Sequence, residues 1–541
     1  MKKLLFNKHN LVLSSIIIYF SFLNILFTKE IFEVNSSFAY RFFVCTTNIG
    51  FSLIFIAFIS INRWLLIALL IPMLFIGSLL SYFKLYLGIN FNEALIESTL
   101  NTHFDEILSI INFRLIGWII LFSAIPLFFL IKNLHHLKIQ FLQKIKINII
   151  CGLLGAAIFY TPTIFMKKIN PVIFLKTNVV NLYPANFFVP WSNYYRHYKI
   201  RNSEKKINAF LEHKFNFNDD DIKVVLVLGE SARSDRFSIN GYGRNTTPQL
   251  EQKKHLISFK DAYSLETYTI GALNSIFKLH PNKNENTLIS IFKDLGFQTD
   301  WVTLQSFRSA INNIASEANN VVTKEMILQN SNSILRDDDV IPFLQKLLKK
   351  NSANNSFIIL HTHGSHYTYD DRYTEYFKKF NPTCTDVNNA SIFKRIFQRN
   401  FCEYKEESSN SYDNTILYTD HVLSEIINEL KPYKAMFIYI SDHGESLGEN
   451  GIYLHSYEYS KAPKEQLHVP YLLWFSDNLL NSDPLIKRKL EIAKENANKK
   501  VDQSTVLYSL LDCINVQSNF IDKEKSICSK SLGHNTQFGR K

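Results

Sequence analysis

The sequence predicts a chain in two parts: an α-helical membrane domain with five transmembrane helices, then an α/β domain built on a mostly parallel sheet. Three observations predict this. Apolar residues make up 47% of the 541 positions, 45 of them Phe, and they crowd into the first third. Five apolar runs there are each close to the roughly 20 residues that a helix needs to cross a bilayer. Beyond residue 219, short buried-strand patterns alternate with helical ones, as when helices cover both faces of a sheet.

The five runs fall at 11–28, 42–61, 64–83, 115–131 and 149–166. The first lacks the small-x-small site of a cleaved signal peptide and further spans follow it, so it reads as a retained helix. Lys2, Lys3 and Lys8 precede the first run, Arg63 separates the second from the third, and Lys132, Lys138, Lys144 and Lys146 separate the fourth from the fifth. With five spans all of these share one side, which the positive-inside bias makes cytoplasmic, and the chain after residue 167 lies outside. The loop 84–114 is also outside; it carries Glu93, Glu97, Asp105 and Glu106 and reads as a short helix pair at the membrane face. In the bridging segment 167–218, Phe187, Phe188, Trp191, Tyr194, Tyr195 and Tyr198 interleave with Arg196, Lys199 and Arg201. That mixture favours the headgroup layer, although an ordinary linker helix has the same pattern. The expected division is thus 1–166, 167–218 and 219–541.

A formal charge of +11 suits an anionic lipid surface. Nucleic acid is not the partner expected, because the basic residues form no single long run and the apolar segments dominate. Six cysteines without a C-x-x-C pair exclude a cysteine-rich zinc finger.

In the second part, runs at 223–228, 301–304, 357–360, 436–440 and 469–474 read as buried strands, and 411–430 as a helix with Ile416, Leu423, Ile426, Ile427 and Leu430 on one face. Ligands of open α/β sheets gather beyond the carboxyl ends of strands. Three strands end in suitable chemistry: Gly229-Glu230-Ser231-Ala232-Arg233, His361-Thr362-His363-Gly364-Ser365-His366 and Ser441-Asp442-His443-Gly444-Glu445-Ser446. Alone, Glu230 reads as a helix cap, the Asp442-His443 pair as structural, and His363 and His366 as surface histidines. Together, at successive strand ends, they make a carboxylate and imidazole set of the kind that binds zinc.

These strings carry a resemblance. The stretch from Val225 through Arg233, then Asn240-Gly241-Tyr242-Gly243-Arg244-Asn245-Thr246-Thr247-Pro248, resembles the phosphoethanolamine transferases of the alkaline phosphatase superfamily. So do Ser411-Tyr412-Asp413-Asn414-Thr415-Ile416-Leu417-Tyr418-Thr419-Asp420, residues 441–451, Tyr453-Leu454-His455 and residues 462–470. The resemblance implies an α/β domain of alkaline phosphatase/sulfatase type, placed in the periplasm by a multi-pass anchor in the bacterial inner membrane. It implies one bound Zn2+ on Glu230, Thr267, Asp442 and His443. Thr267 is then the nucleophile, taken from the segment Tyr263-Ser264-Leu265-Glu266-Thr267-Tyr268-Thr269, with Thr269 as the alternative. The family often has Cys-Gly where this chain has Leu265-Glu266. His366 and His455 are implied near the phosphate, as phosphoryl ligands, proton carriers or holders of a second zinc. Asn92 and Glu93 fall in a membrane-proximal segment like that of the family, on the substrate side; loop packing is the simpler reading of them.

The reaction implied is transfer of phosphoethanolamine from phosphatidylethanolamine to lipopolysaccharide through a covalent threonine intermediate. The string 357–366, with Tyr369, Arg372-Tyr373 and Leu304-Gln305-Ser306, is similar to members that modify the Kdo sugar of the inner core; lipid A phosphate is the other acceptor. Adding an amine to an anionic surface weakens its attraction for cationic peptides, hence an expectation of polymyxin resistance. A phosphoglycerol transferase fits the motifs less well, a sulfatase lacks its Cys-x-Pro-x-Arg segment, and a degenerate membrane sensor would not keep every ligand. The resemblance also pairs Cys384 with Cys402, and Cys513 and Cys528 are candidates for a second bridge in an oxidising compartment. Cys45 and Cys151 lie inside spans and are expected to be free thiols.

Overall fold

The computed structural model describes residues 8–28, 38–60, 62–101, 110–133, 141–165, 180–203, 206–305, 309–328, 334–351, 354–389 and 405–533. It divides into two compact units, Met1–Glu93 with Ile111–Tyr195, and Ala94–Ile110 with Arg196–Lys541.

The first unit is helical: α1 Lys8–Phe27, α2 Phe38–Ile59, α3 Arg63–Tyr86, the start of α4 Glu93–Asn101, α5 Phe113–Asn133, α6 Phe141–Phe165 and most of α7 Ala185–Ser203. The five apolar runs coincide with α1, α2, α3, α5 and α6. Three stretches, Arg41–Ile59, Trp64–Tyr86 and Phe113–Asn133, are long and apolar enough to cross a membrane, and Val12–Phe27 and Asn148–Thr161 are shorter apolar helices. Of the helix pair expected in 84–114, α4 is present, and residues 102–109 lie outside the described residues. Small residues let helix backbones approach closely where lipid supplies no hydrophobic drive. Here a Cβ added at Gly50 of α2 would stand 2.5 Å from the Phe159 backbone nitrogen of α6, and one at Gly155 would stand 2.8 Å from Leu53 Cβ. A buried amide ties the later chain to the spans: Asn24 Oδ1 accepts from the Tyr183 backbone N–H at 2.6 Å, and Asn24 Nδ2 donates to Ser52 Oγ at 3.2 Å.

The second unit is built on a seven-stranded sheet in the order β2-β10-β7-β1-β6-β4-β5. The strands are β1 Ile222–Gly229, β2 Leu256–Ser258, β4 Gln298–Thr303, β5 Asn320–Val322, β6 Ser356–His361, β7 Lys434–Ser441 and β10 Tyr471–Phe475. Every residue of β1 is buried, which suits a central strand covered on both faces, and it pairs in parallel with β6 and β7. β4 and β5 extend the parallel set, while β10 runs antiparallel to β7 and to β2. Two-residue strands β3 Ala262–Tyr263 and β11 Val501–Asp502 pair beside the sheet, as do β8 Ser446–Leu447 and β9 Tyr453–Leu454. The long helix Lys405–Leu430 buries Ile416, Leu423, Ile426, Ile427 and Leu430.

Cys513 and Cys528 form a disulfide. Cys384 is disulfide-bonded, and Cys402, its expected partner, lies outside the described residues. Cys45 and Cys151 are free.

Candidate active site

Strands β7, β1 and β6 are neighbours in register, Leu228 opposite His361 and Gly229 opposite Ser441, so their carboxyl ends deliver three loops to one place. The loops then bond to one another. Asp442 N–H donates to Gly229 O at 3.1 Å, Thr362 N–H to Leu228 O at 3.0 Å, and Ser365 N–H to Glu230 O at 2.8 Å. Gly364 makes the last contact possible: its φ is +51°, and a Cβ on it would stand 2.5 Å from Glu230 O.

The result is a fully buried cluster of Glu230, Asp442 and His443. His443 Nδ1 donates to Gly444 O at 2.9 Å, which leaves the Nε2 lone pair facing Glu230 Oε1 at 3.3 Å and Asp442 Oδ2 at 3.2 Å. Asp442 Oδ1 accepts from the Ser231 and His443 backbone N–H groups, at 3.0 and 2.7 Å. Asp442 Oδ2 is buried and has no hydrogen-bond donor. Burial raises the carboxyl of Glu230, but His443, His366 and His455 outweigh it and hold the group well below the usual range. Burial and the Glu230 charge push Asp442 well above it, and burial with His455 lowers His443 to about 3. Two carboxylates and a neutral imidazole converging on one point, with an oxygen lacking a donor, fit a divalent cation of zinc's ligand preferences.

The two threonines of the nucleophile segment separate here. Thr267, the residue expected in the cluster, is buried with its hydroxyl donating to Tyr457 O at 2.6 Å. Thr269, the alternative in that segment, lies against the cluster: its Oγ1 donates to Glu230 Oε2 at 3.1 Å and lies 3.5 Å from His443 Nε2. It is the first residue of helix α8 Thr269–Phe277, where the helix adds partial positive charge.

His455 and His366 join the rim. Their rings are 5.8 Å apart, and His455 is 4.3 Å from the His443 ring. His455 Nδ1 is 2.8 Å from Glu445 Oε2, and Tyr369 OH donates to Glu445 Oε1 at 2.9 Å. The carboxylate thus makes Nδ1 the donor and leaves Nε2 for other partners. His361 and His363 stay out of the cluster. His361 is buried beside Thr303, its pKa lowered to about 4 by burial, and His363 is half-buried, its pKa lowered well below the usual value, chiefly by desolvation. The backbone N–H groups of His363 and Gly364 donate to Asp337 at 2.7 and 2.9 Å. Asn92 precedes α4 and Glu93 begins it, in the helical unit.

Sequence reasoning missed Glu445, Asp337 and the role of Gln305, whose Nε2 donates to Glu230 Oε2 at 2.8 Å and to Thr362 O at 3.0 Å. Glu445 had a signal, standing two residues after His443 inside the Ser441–Ser446 string. The string 411–420 braces the site from outside: Tyr412 OH donates to Ser231 O at 2.6 Å, and Asp413 binds Arg236 and Arg244.

Loops from three adjacent parallel strands thus meet in an acid–histidine cluster with a hydroxyl at a helix start, and the Sulfatase family profile matches residues 223–516, which hold all of these residues. The profile described as phosphoethanolamine transferase EptA/EptB matches residues 49–198. The chain belongs to the phosphoethanolamine transferases of the alkaline phosphatase superfamily. It is 28% identical over 487 residues to the Kdo(2)-lipid A phosphoethanolamine 7''-transferase of Escherichia coli, covering 84% of this chain and 83% of that one. Its fold matches the integral membrane lipooligosaccharide phosphoethanolamine transferase A of Neisseria meningitidis, with a TM-score of 0.79 at 24% identity over 95% and 97% of the two chains. The C-terminal periplasmic domain of the transferase EptC from Campylobacter jejuni matches at 29% identity and a TM-score of 0.50, covering 61% of this chain and 99% of that domain.

Proposed function

We propose that the protein moves phosphoethanolamine from phosphatidylethanolamine to lipopolysaccharide at the outer face of the bacterial inner membrane, with its α/β unit in the periplasm and five helices as the anchor. The observation that carries this reading is the Thr269 hydroxyl, held by Glu230 at 3.1 Å beside His443 at the start of α8.

Thr269 Oγ attacks the phosphorus of the donor. The Thr269 O–P bond forms as the bond to the diacylglycerol oxygen breaks, and that oxygen leaves with a proton as diacylglycerol. The acceptor hydroxyl or phosphate oxygen then attacks the same phosphorus, its O–P bond forming as the Thr269 O–P bond breaks, and the proton it loses restores the enzyme. Glu230, Asp442 and His443 would hold the cation, and a zinc ion there supplies Lewis-acid chemistry, acidifying a neighbouring hydroxyl and offsetting charge on phosphoryl oxygens. His455, its Nδ1 fixed by Glu445, and His366 bind phosphoryl oxygens or carry the proton. Asn92 and Glu93 contact substrate on the strength of the family resemblance alone. The acceptor is the Kdo sugar, supported by the strings 357–366 and 304–306 and by the name of the Escherichia coli relative.

Mass spectrometry of lipopolysaccharide from cells with and without the gene tests this. An increment of about 123 Da, the mass of the added group, is expected only with the gene. Fragmentation will place it on Kdo; placement on lipid A phosphate would replace the acceptor, and no increment would contradict the reaction.

A further inference from the structure

We propose that Gln305 is a positioning residue that divides the two oxygens of Glu230, keeping one for the nucleophile and one for the cation; the assignment rests on Thr269 being the nucleophile. An ionised carboxylate offers about four lone-pair sites, two on each oxygen. Glu230 is fully buried, so the protein decides what each site meets. Ser231 Oγ donates to Oε1 at 2.7 Å. Gln305 Nε2 and Thr269 Oγ1 both donate to Oε2, at 2.8 and 3.1 Å. Three sites are thus taken, and Oε2 is full. The site left is on Oε1, the oxygen that stands 3.3 Å from His443 Nε2. Glu230 therefore meets a cation through one oxygen, and the other belongs to Thr269.

The surroundings of Gln305 leave it no other role for that nitrogen. The Leu304 N–H donates to His361 O at 3.0 Å and the Gln305 N–H to Thr303 Oγ1 at 3.1 Å, which ties the backbone after β4 to the end of β6. Gln305 Nε2 carries two hydrogens, and its two partners, Glu230 Oε2 and Thr362 O, only accept, so the orientation of the amide is fixed. Thr362 is itself fastened to β1, its N–H and Oγ1 both donating to Leu228 O at 3.0 Å. Ser231 holds the opposite oxygen from a left-handed backbone, φ +56°, that only glycine adopts without strain. Tyr412 OH on Ser231 O at 2.6 Å, and the Ser231 N–H on Asp442 Oδ1 at 3.0 Å, keep it there. The consequence falls on the Thr269 hydroxyl. With its hydrogen on Oε2, its lone pairs face away from Glu230 and are open to a phosphorus atom. Without Gln305, Oε2 would regain a site and would be able to turn to the cation as well, and the hydroxyl would lose its fixed partner. Gln305 thus favours alignment of the nucleophile over tightness of the cation.

Full-length Gln305→Met, which keeps the length of the side chain and loses both donors, tests this by two measurements. One is the zinc affinity of the chelator-treated protein by calorimetry; the other is diacylglycerol release from phosphatidylethanolamine by the zinc-loaded protein in mixed micelles. The kcat should fall at least about tenfold with KM within about twofold of wild type, as for a lost hydrogen bond to a charged group that matters only where the hydroxyl reacts. Zinc should bind as tightly as to wild type, or more tightly. A loosened loop would weaken both, so the opposed movement is what a purely structural role does not give. Gln305→Glu puts an oxygen where the nitrogen stood; the same split is expected, and it decides the matter if Gln305→Met does not fold. Zinc affinity falling together with kcat would make Gln305 a brace of the loop, and an unchanged kcat would mean that Oε2 is held without it. Either result overturns the assignment and leaves the transfer reaction intact. No release by wild type would instead overturn the reaction, and the assignment with it.

Discussion

Between Thr267 and Thr269 the chain turns from extended backbone into helix α8, and that turn decides which hydroxyl faces Glu230. Thr269→Ala should lower turnover by at least about a thousandfold, the size of loss seen when a nucleophile is removed. Thr267→Ala should keep measurable turnover and lose about 1–2 kcal/mol of stability, because the Tyr457 carbonyl loses its donor. Diacylglycerol release and thermal melting separate these outcomes, and the opposite ranking would return the nucleophile to Thr267. The sequence could not choose between them: both sit in one Thr-Tyr-Thr string, and only the start of the helix sets their directions. Asp337 makes a pH prediction. Burial raises its carboxyl from 3.8 to about 6 against the lowering effect of the His363 and Gly364 N–H groups. A raised acid favours the folded state below its unfolded pKa, and that benefit is lost as pH rises through 6. The stability of wild type minus that of Asp337→Asn should therefore fall by on the order of 3 kcal/mol between pH 4 and pH 7.5. Denaturant titrations at the two values measure it, and a difference that grew with pH would contradict the assignment.

The loop after β6 is the element on which the cluster leans. Gly364→Ala would place a Cβ against Glu230 O in a backbone conformation that L residues avoid. It should cost several times the roughly 1 kcal/mol of an ordinary glycine substitution and weaken cation binding, because Glu230 moves with the loop. Calorimetric metal titration beside thermal melting checks this; unchanged affinity and melting would mean that the loop gives way without moving Glu230. The central strands were legible because they are short apolar runs buried on both faces, as in β1 and β7. β2 and β5 were not, being three residues long and partly exposed at the two sheet edges. Asp442-His443 and Glu230 were legible as chemistry at strand ends. Gln305 and Asp337 reach the site from other segments, and no local pattern announces such contacts. The string 411–420 was readable as family text but not as structure: its Tyr412 and Asp413 act by bracing Ser231, Arg236 and Arg244.

At the scale of the molecule, an apolar helical unit and a catalytic α/β unit share one chain, which suits a reaction between two lipids confined to one leaflet. The cation site is expected to couple to the stability of the α/β unit, since Glu230, Asp442 and His443 are buried with their ligand atoms converging. Chelation should lower the melting temperature of the full-length protein and zinc should restore it, by mass action on the folded state. Glu230→Gln should blunt that response, and a melting temperature indifferent to chelator would argue that the cluster holds no ion. The central claim, that one threonine carries the headgroup between two lipids, is met most directly by incubating the protein with phosphatidylethanolamine in the absence of acceptor and sequencing its peptides by mass spectrometry. An added mass of about 123 Da on Thr269, absent from Thr269→Ala, is the predicted result; the same mass on Thr267 or elsewhere, or diacylglycerol release with no labelled residue, would contradict it.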